Sequence, residues 1–324
     1  MNVLVAGNLP DTEIDRIEKE HRVQVHRQDR PMERRAILES IGDKQGLLSM
    51  ITDTVDSDLL DRAPGLKIVA NFGVGYNNID VPAATRRGIM VTNTPGVLTD
   101  ATADLTMALV LAVARRVVEG DRYTRQGRFR FWAPFHFLGH EITGKTLGIV
   151  GMGRIGRAVA RRAAGFDMRV LYHSRNPLAE EEERKLSVHY AGLKTLLQEA
   201  DFISLHTPLT PQTRHLIGSR ELDWMKSDAF LINTARGAVV DEQALVEALK
   251  QRRIGGAGLD VYENEPRLTP GLECLDNVVL LPHVGSATVE TRRRMAAMAV
   301  DNLLAGLQGR IPPNCLNPDV VAME

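Results

Sequence analysis

Short apolar, β-branched runs alternate with segments of helical spacing along this whole chain of 324 residues. Runs of the first kind lie at 3–6, 23–26, 46–50, 68–71 and 89–92. Segments of the second kind lie between them at 11–20, 33–40, 58–62 and 82–87. Interleaved strands and helices predict parallel sheets covered on both faces, an α/β fold. A long helix is expected from about 99 to 118–120, with Ala101, Leu105, Ala108, Leu109 and Ala112 on one face. Residues 121–140 are rich in aromatic and basic side chains and lack a clear period, which predicts more helix and then an irregular arm. A second series follows, with strands at 146–150, 169–172, 202–205, 229–233, 256–259 and 278–281 and helices at 154–164, 192–199, 219–225 and 242–251. Six strands in repeated βα units suit a dinucleotide-binding half. A last helix is expected over 289–308, where Met295, Met298, Ala299 and Leu303 recur at helical spacing.

Length and composition narrow the function classes. A chain this long predicts two domains. A net charge of -1 gives no field that favours nucleic acid or an anionic membrane. The longest apolar stretch, 105–114, is half of the ~20 residues a membrane span needs, and reads as a buried helix. The N-terminal residues read as a first strand and lack the basic lead of a signal peptide. Two isolated cysteines, Cys274 and Cys315, argue against a disulfide framework and against a zinc site, so no metal is expected and a cytoplasmic location fits best.

The chemistry begins at Gly151, Gly153 and Gly156, which directly follow the apolar run Leu147-Gly148-Ile149-Val150 and directly precede a helix-prone segment. Spaced G-x-G-x-x-G, they permit a tight turn, close approach of a pyrophosphate, and close packing of helix on strand. The helix N-terminus then offers N–H donors to phosphate. The following strand normally ends in an acid that binds a ribose 2′-hydroxyl. Here Tyr172 runs into His173-Ser174-Arg175-Asn176, and no acid appears until Glu180. Arg175 would pair with a 2′-phosphate and Ser174 would hydrogen-bond it, which favours NADP(H). The alternative, that Arg175 stacks on adenine or faces solvent, leaves NAD(H) open.

Three further segments follow strands: Asn233-Thr234-Ala235-Arg236-Gly237, Asp260-Val261 with Glu263-Asn264-Glu265-Pro266, and Pro282-His283-Val284-Gly285. They offer a guanidinium, carboxylates and an imidazole, a set suited to reducing a 2-oxo acid. Hydride arriving at C2 leaves charge on the oxygen, so a proton donor is needed, and His283 is the candidate. Glu265 would favour its protonated form and orient it. Arg236 would hold the substrate carboxylate. Among the remaining histidines, His206 reads as a cleft-lining residue without a proton-transfer role. His136, His140, His173, His189 and His215 read as structural or surface groups.

These segments, together with Asn71-Phe72-Gly73-Val74-Gly75-Tyr76-Asn77-Asn78-Ile79-Asp80, Val91-Thr92-Asn93-Thr94-Pro95 and Thr99-Asp100-Ala101-Thr102-Ala103-Asp104, resemble the D-isomer-specific 2-hydroxyacid dehydrogenase family, and within it the glyoxylate/hydroxypyruvate reductases. The resemblance covers nearly the whole chain. It implies two doubly wound parallel-sheet domains, with a Rossmann-type cofactor domain (98–285) inserted in a flavodoxin-like substrate domain (1–97 and 286–324). It implies that Arg236, Glu265 and His283 form the catalytic set, and that the N–H groups of Val74 and Gly75 hold the substrate carboxylate. It implies cofactor contacts at Met152, Gly153, Arg154, Ile155, Ser174, Arg175, Thr207, Pro208, Thr234, Ala235, Arg236, Asp260, His283 and Gly285. It further implies a homodimer in which Trp132 of one subunit closes the substrate site of the other. The expected function is NADPH-dependent reduction of glyoxylate or hydroxypyruvate to the D-2-hydroxy acid. An NAD-linked or broader 2-hydroxyacid dehydrogenase is the nearest alternative. A dinucleotide-sensing corepressor is a more distant one, disfavoured by the short tails and the absence of a basic excess.

Overall fold

All strand pairings in this protein are parallel, in one sheet of five strands and one of seven. A computed structural model describes residues 1–323, with backbone alone from 321. The chain divides into two compact units, residues 1–98 with 287–324, and residues 99–286.

In the first unit, β1 (Asn2–Val5), α1 (Asp11–Glu18), β2 (Arg22–Val25), α2 (Arg34–Ser40), β3 (Gly46–Met50), α3 (Ser57–Asp61), β4 (Ile68–Phe72), α4 (Val81–Arg86) and β5 (Met90–Thr92) alternate along the chain. The strand order is β2-β1-β3-β4-β5, the doubly wound arrangement expected when crossovers cover both faces. The central strands are buried on both sides, which is why they read as continuous apolar runs. Asp56 and Asp80 accept N–H bonds from Leu59 and Ala83, capping α3 and α4.

The second unit carries α5 (Thr99–Ala114), α6 (Val117–Arg125), β6 (Thr146–Val150), α7 (Arg154–Ala163), β7 (Arg169–His173), α8 (Glu180–Leu186), β8 (Val188–Tyr190), α9 (Leu193–Glu199), β9 (Phe202–Leu205), α10 (Ser219–Trp224), β10 (Phe230–Asn233), α11 (Glu242–Lys250), β11 (Gly256–Leu259) and β12 (Val278–Leu280). Helix α12 (Val289–Leu307) returns to the first unit. The sheet order is β8-β7-β6-β9-β10-β11-β12. The chain builds outward from β6 through β7 and β8, then restarts on the other side at β9. Winding reverses between β6 and β9, and open α/β sheets bind ligands at such a reversal.

Expectations need correction here: α5 buries Thr102, Ala103, Thr106, Leu109 and Val110 and leaves Ala108 exposed, so of the expected face only Leu109 is buried. The sheet has seven strands, not six. The additional β8 is a three-residue edge strand with only Val188 buried, too short to show alternation. The single long helix expected to run to 118–120 breaks after Ala114. Arg116 sits in the left-handed region (φ 53°), held there by a bidentate pair with Glu119 at 2.8 Å and a bond to the Leu138 carbonyl. The chain comes back at His140, whose N–H takes the carbonyl of Ala114 at 2.8 Å and so satisfies the end of α5. The contacts with Leu138 and His140 join residues more than twenty positions apart, and local pattern carries no trace of them.

Candidate active site

Most residues of interest in the second unit lie where a strand hands over to a loop or helix. Gly151 leaves β6 with φ +104°, and a Cβ there would stand 2.7 Å from the carbonyl carbon of His206 and 2.9 Å from the Thr207 nitrogen. Only glycine meets both demands. Gly156 lies on the first turn of α7, where a Cβ would reach 2.2 Å from the Gly151 carbonyl oxygen. Gly153 differs: a Cβ there meets nothing within 4 Å. It caps α7 without a side-chain bond, and the first turn of α7 contains no acid. The helix therefore presents uncapped N–H groups to open space, which suits a phosphate.

Around this turn the polar groups also fit a dinucleotide. The Thr207 hydroxyl and the His206 Nδ1 are buried and have no partner among the described residues, and both residues lie beside Gly151. A buried polar atom without a partner is costly, and a bound ligand would satisfy it. Burial drives the His206 imidazole down to about 3, so it is neutral, with Nε2 2.8 Å from the Ser204 hydroxyl. Met152 is buried, Ile155 half-buried, and Arg154 exposed. At the end of β7, Ser174 donates to the Asn176 carbonyl at 2.6 Å. Arg175 is exposed and forms no ion pair among the described residues. The Pro208 carbonyl accepts from Thr213 at 2.6 Å.

The loop after β10 is wound by Asn233. Its Oδ1 accepts the Ala235 N–H at 3.0 Å and its Nδ2 donates to the Arg236 carbonyl at 2.9 Å, an Asx turn that explains an asparagine at a strand end. Thr234 pairs with Thr106 at 2.9 Å in the interior. Arg236 extends from this loop and donates to the Ala235 carbonyl at 2.7 Å. Burial lowers its pKa from the ordinary arginine value, and the Glu265 charge opposes that shift. At Gly237 a Cβ would fall 1.8 Å from the Tyr262 carbonyl carbon. The loops after β10 and β11 thus touch backbone to backbone.

Glu265 and His283 meet directly, with Oε2 and Nδ1 2.7 Å apart. The other oxygen of Glu265 accepts the Tyr262 N–H at 2.9 Å. Burial works to raise the Glu265 pKa. The His283 bond and charge, the Tyr262 N–H and the Arg236 charge outweigh it and hold the carboxyl below its ordinary range. His283 itself has φ 55°, a conformation unusual outside glycine. Asp260 holds the loop behind it: its two oxygens accept the N–H groups of Val284 and Gly285, each at 2.7 Å. Burial pushes the Asp260 pKa up against those two amides. Tyr262 adds a bond from its hydroxyl to the Leu281 carbonyl at 2.8 Å. Asn233 and Tyr262 were not singled out from sequence. Asn233 had a signal, an asparagine closing a strand, whereas Tyr262 acts through a contact nineteen residues away.

Val74 and Gly75 lie in the first unit, in the loop after β4, and their N–H groups find no acceptor among the described residues. Trp132 lies in the arm of the second unit and is 78% exposed. No group of three or more His, Cys, Asp or Glu is placed to hold a metal ion among the described residues. No described helix is long and apolar enough to cross a membrane.

The family profile described as "D-isomer specific 2-hydroxyacid dehydrogenase, NAD binding domain" matches residues 107–285. A glyoxylate reductase of Thermococcus litoralis is 51% identical over 323 residues, covering 98% of this chain and 97% of that protein. A crystal structure of a protein from Thermus thermophilus has a TM-score of 0.91 at 51% identity, covering 98% of this chain and 100% of that one. The NADPH-dependent glyoxylate/hydroxypyruvate reductase of Sinorhizobium meliloti, solved with NADP and malonate, has a TM-score of 0.87 at 35% identity, covering 98% and 97%. This chain belongs to the D-isomer specific 2-hydroxyacid dehydrogenase family and is an NAD(P)-dependent oxidoreductase.

Proposed function

We propose that this protein reduces a small 2-oxo acid, glyoxylate or hydroxypyruvate, to the D-2-hydroxy acid with NADPH, and that His283 is the general acid. The observation that carries the reading is the 2.7 Å pair between His283 Nδ1 and Glu265 Oε2. With Nδ1 committed to a carboxylate, Nε2 is left to give a proton. A nicotinamide held in this unit would supply the hydride for the carbonyl carbon. His283 gives its proton to the carbonyl oxygen, so the double bond becomes a secondary or primary alcohol without a free alkoxide. Glu265 orients the ring and balances the positive charge it carries before the proton leaves. In the second unit Arg236 takes the substrate carboxylate, and in the first unit the Val74 and Gly75 N–H groups take it.

For the cofactor, the turn Gly151, Met152, Gly153, Arg154, Ile155 and Gly156 receives the pyrophosphate. Thr207, Pro208, Thr234, Ala235, Asp260 and Gly285 line the rest of its site. Preference for NADPH is supported by the exposed Arg175, free of ion pairs among the described residues, and by the absence of a carboxylate at the end of β7. The protein works as a homodimer in which the partner's copy of the arm closes the substrate site with Trp132.

Steady-state reduction of glyoxylate, hydroxypyruvate and pyruvate with NADPH and with NADH tests this directly. Turnover of the first two with NADPH is expected, and His283→Ala should lower kcat by about 10²–10⁴-fold. Full activity in that variant would remove His283 from the mechanism. A wide preference for NADH would overturn the reading of Arg175.

A further inference from the structure

Three successive carbonyls in residues 73–75 are held by donors from the first unit. Gly73 O accepts the Thr94 N–H at 3.0 Å and, at 3.4 Å, the Asn71 side-chain amide. Val74 O accepts Asn93 Nδ2 at 2.8 Å. Gly75 O accepts Asn71 Nδ2 at 2.9 Å. A trans peptide unit directs its N–H opposite to its C=O. Holding these carbonyls therefore turns the N–H groups of Val74, Gly75 and Tyr76 the other way. None of the three has an acceptor among the described residues.

The two asparagines are themselves fixed. Asn71, within β4, is fully buried, and Asn93, just after β5, is 8% exposed. The Asn71 Oδ1 lies 3.5 Å from both the Ser49 hydroxyl and Asn78 Nδ2. Donors on that side leave the Asn71 NH2 to face the loop carbonyls. Successive N–H groups directed one way form an anion-binding nest. Donors set in advance bind a charge without paying to reorganise.

We propose that Asn71 and Asn93 are positioning residues for the substrate carboxylate: they anchor the carbonyl side of residues 73–75 and so keep the N–H groups of Val74, Gly75 and Tyr76 as a preformed nest. Neither side chain touches the substrate. Both act through the peptide units they hold. The inference rests on the proposed reduction of a 2-oxo acid.

The test compares Asn93→Ala and Asn71→Ala with the wild type. It reads KM and kcat for glyoxylate, the inhibition constant of oxalate, and the Kd of NADPH from nicotinamide fluorescence. The loss of one held peptide unit should raise KM and the oxalate constant together by about 10–100-fold, as expected for a lost charge-assisted bond. The kcat should change by a few-fold and the Kd of NADPH not at all. Asn93→Ser, which keeps a short donor, should recover part of the loss. Unchanged KM and oxalate binding would overturn the proposal, and so would a parallel loss of NADPH binding, which marks a general defect. Should an alanine variant fail to fold, Asn93→Leu and Asn71→Leu, close in shape and without a donor, carry the same comparison and the same two outcomes. A wild type that reduces no 2-oxo acid would refute the functional reading, and calorimetric titration of oxalate into wild type and variants would still judge the nest.

Discussion

Asp53 is a buried carboxyl of the first unit and no part of the proton-transfer pair. It is 4% exposed, and burial pushes its pKa up to about 6 against the help of the Met50 N–H, the His26 charge and the Thr52 hydroxyl. Its Oδ2 closes the turn after β3 by accepting that N–H at 2.7 Å, and Asn78 grips the same turn through the carbonyls of Met50 and Asp53. Because the folded pKa lies above the unfolded one, the folded state binds more protons between about pH 4 and 6, and stability falls as pH rises through that window. Above it, the penalty is on the order of 3 kcal/mol, since each pKa unit corresponds to about 1.4 kcal/mol. Asp53→Asn keeps an acceptor for Met50 and removes the charge. Its melting temperature should exceed that of the wild type by several degrees at pH 8, and the difference should vanish near pH 4. Equal melting temperatures across that range would show that Asp53 is not burdened by ionisation.

At the scale of elements, the packing of α7 against β6 is set by one atom pair. A Cβ on residue 156 would stand 2.2 Å from the Gly151 carbonyl oxygen, which belongs to backbone and cannot swing aside. In Gly156→Ala the helix must withdraw from the strand, and overpacking of this kind costs about 1–3 kcal/mol. The helix N-terminus moves with it, so NADPH binding should weaken at least as much as stability; unchanged Kd and melting temperature would sink this account. The spacing of these glycines was legible in sequence because each is bound by a local rule. The strands were legible too, since both faces of β4, β6 and β9 are buried and leave continuous apolar runs. Strand β8 was not, having a single buried residue, and neither was α8, which buries no side chain and opens on four glutamates at 180–183 that form its acidic first turn. In the candidate site, residue types at strand ends could be read directly. The Asp260 clamp on Val284 and Gly285 spans 24 and 25 positions, and no local pattern encodes it.

At the scale of the molecule, the arm after α6 is the feature a lone chain does not explain. Phe129, Phe131, Trp132, Phe135 and Leu138 are 60, 66, 78, 87 and 58% exposed, all within ten residues. Scattered apolar side chains at a surface need no cause, but a cluster of this size marks an interaction site. Its inner side is already organised: Tyr123 packs at ring distances of 5.4 Å from His136 and from Phe137, and Arg116 lies 4.3 Å above Phe137. The arm is thus a shaped body with an uncovered apolar side. Each large side chain buried there is worth about 1.5–3 kcal/mol, enough in sum to hold two subunits together at micromolar concentration after the cost of association. Sedimentation equilibrium should accordingly give twice the chain mass of 35.8 kDa. The double variant F131S/F135S should shift toward the monomer while its far-UV circular dichroism stays unchanged. Trp132→Ala should remain dimeric, yet raise KM for the 2-oxo acid several-fold, because that ring is assigned to the partner's substrate site. A wild type that sediments as a monomer, or a Phe131/Phe135 variant that still dimerises as tightly, would remove the arm from the interface and leave its exposed rings without a function.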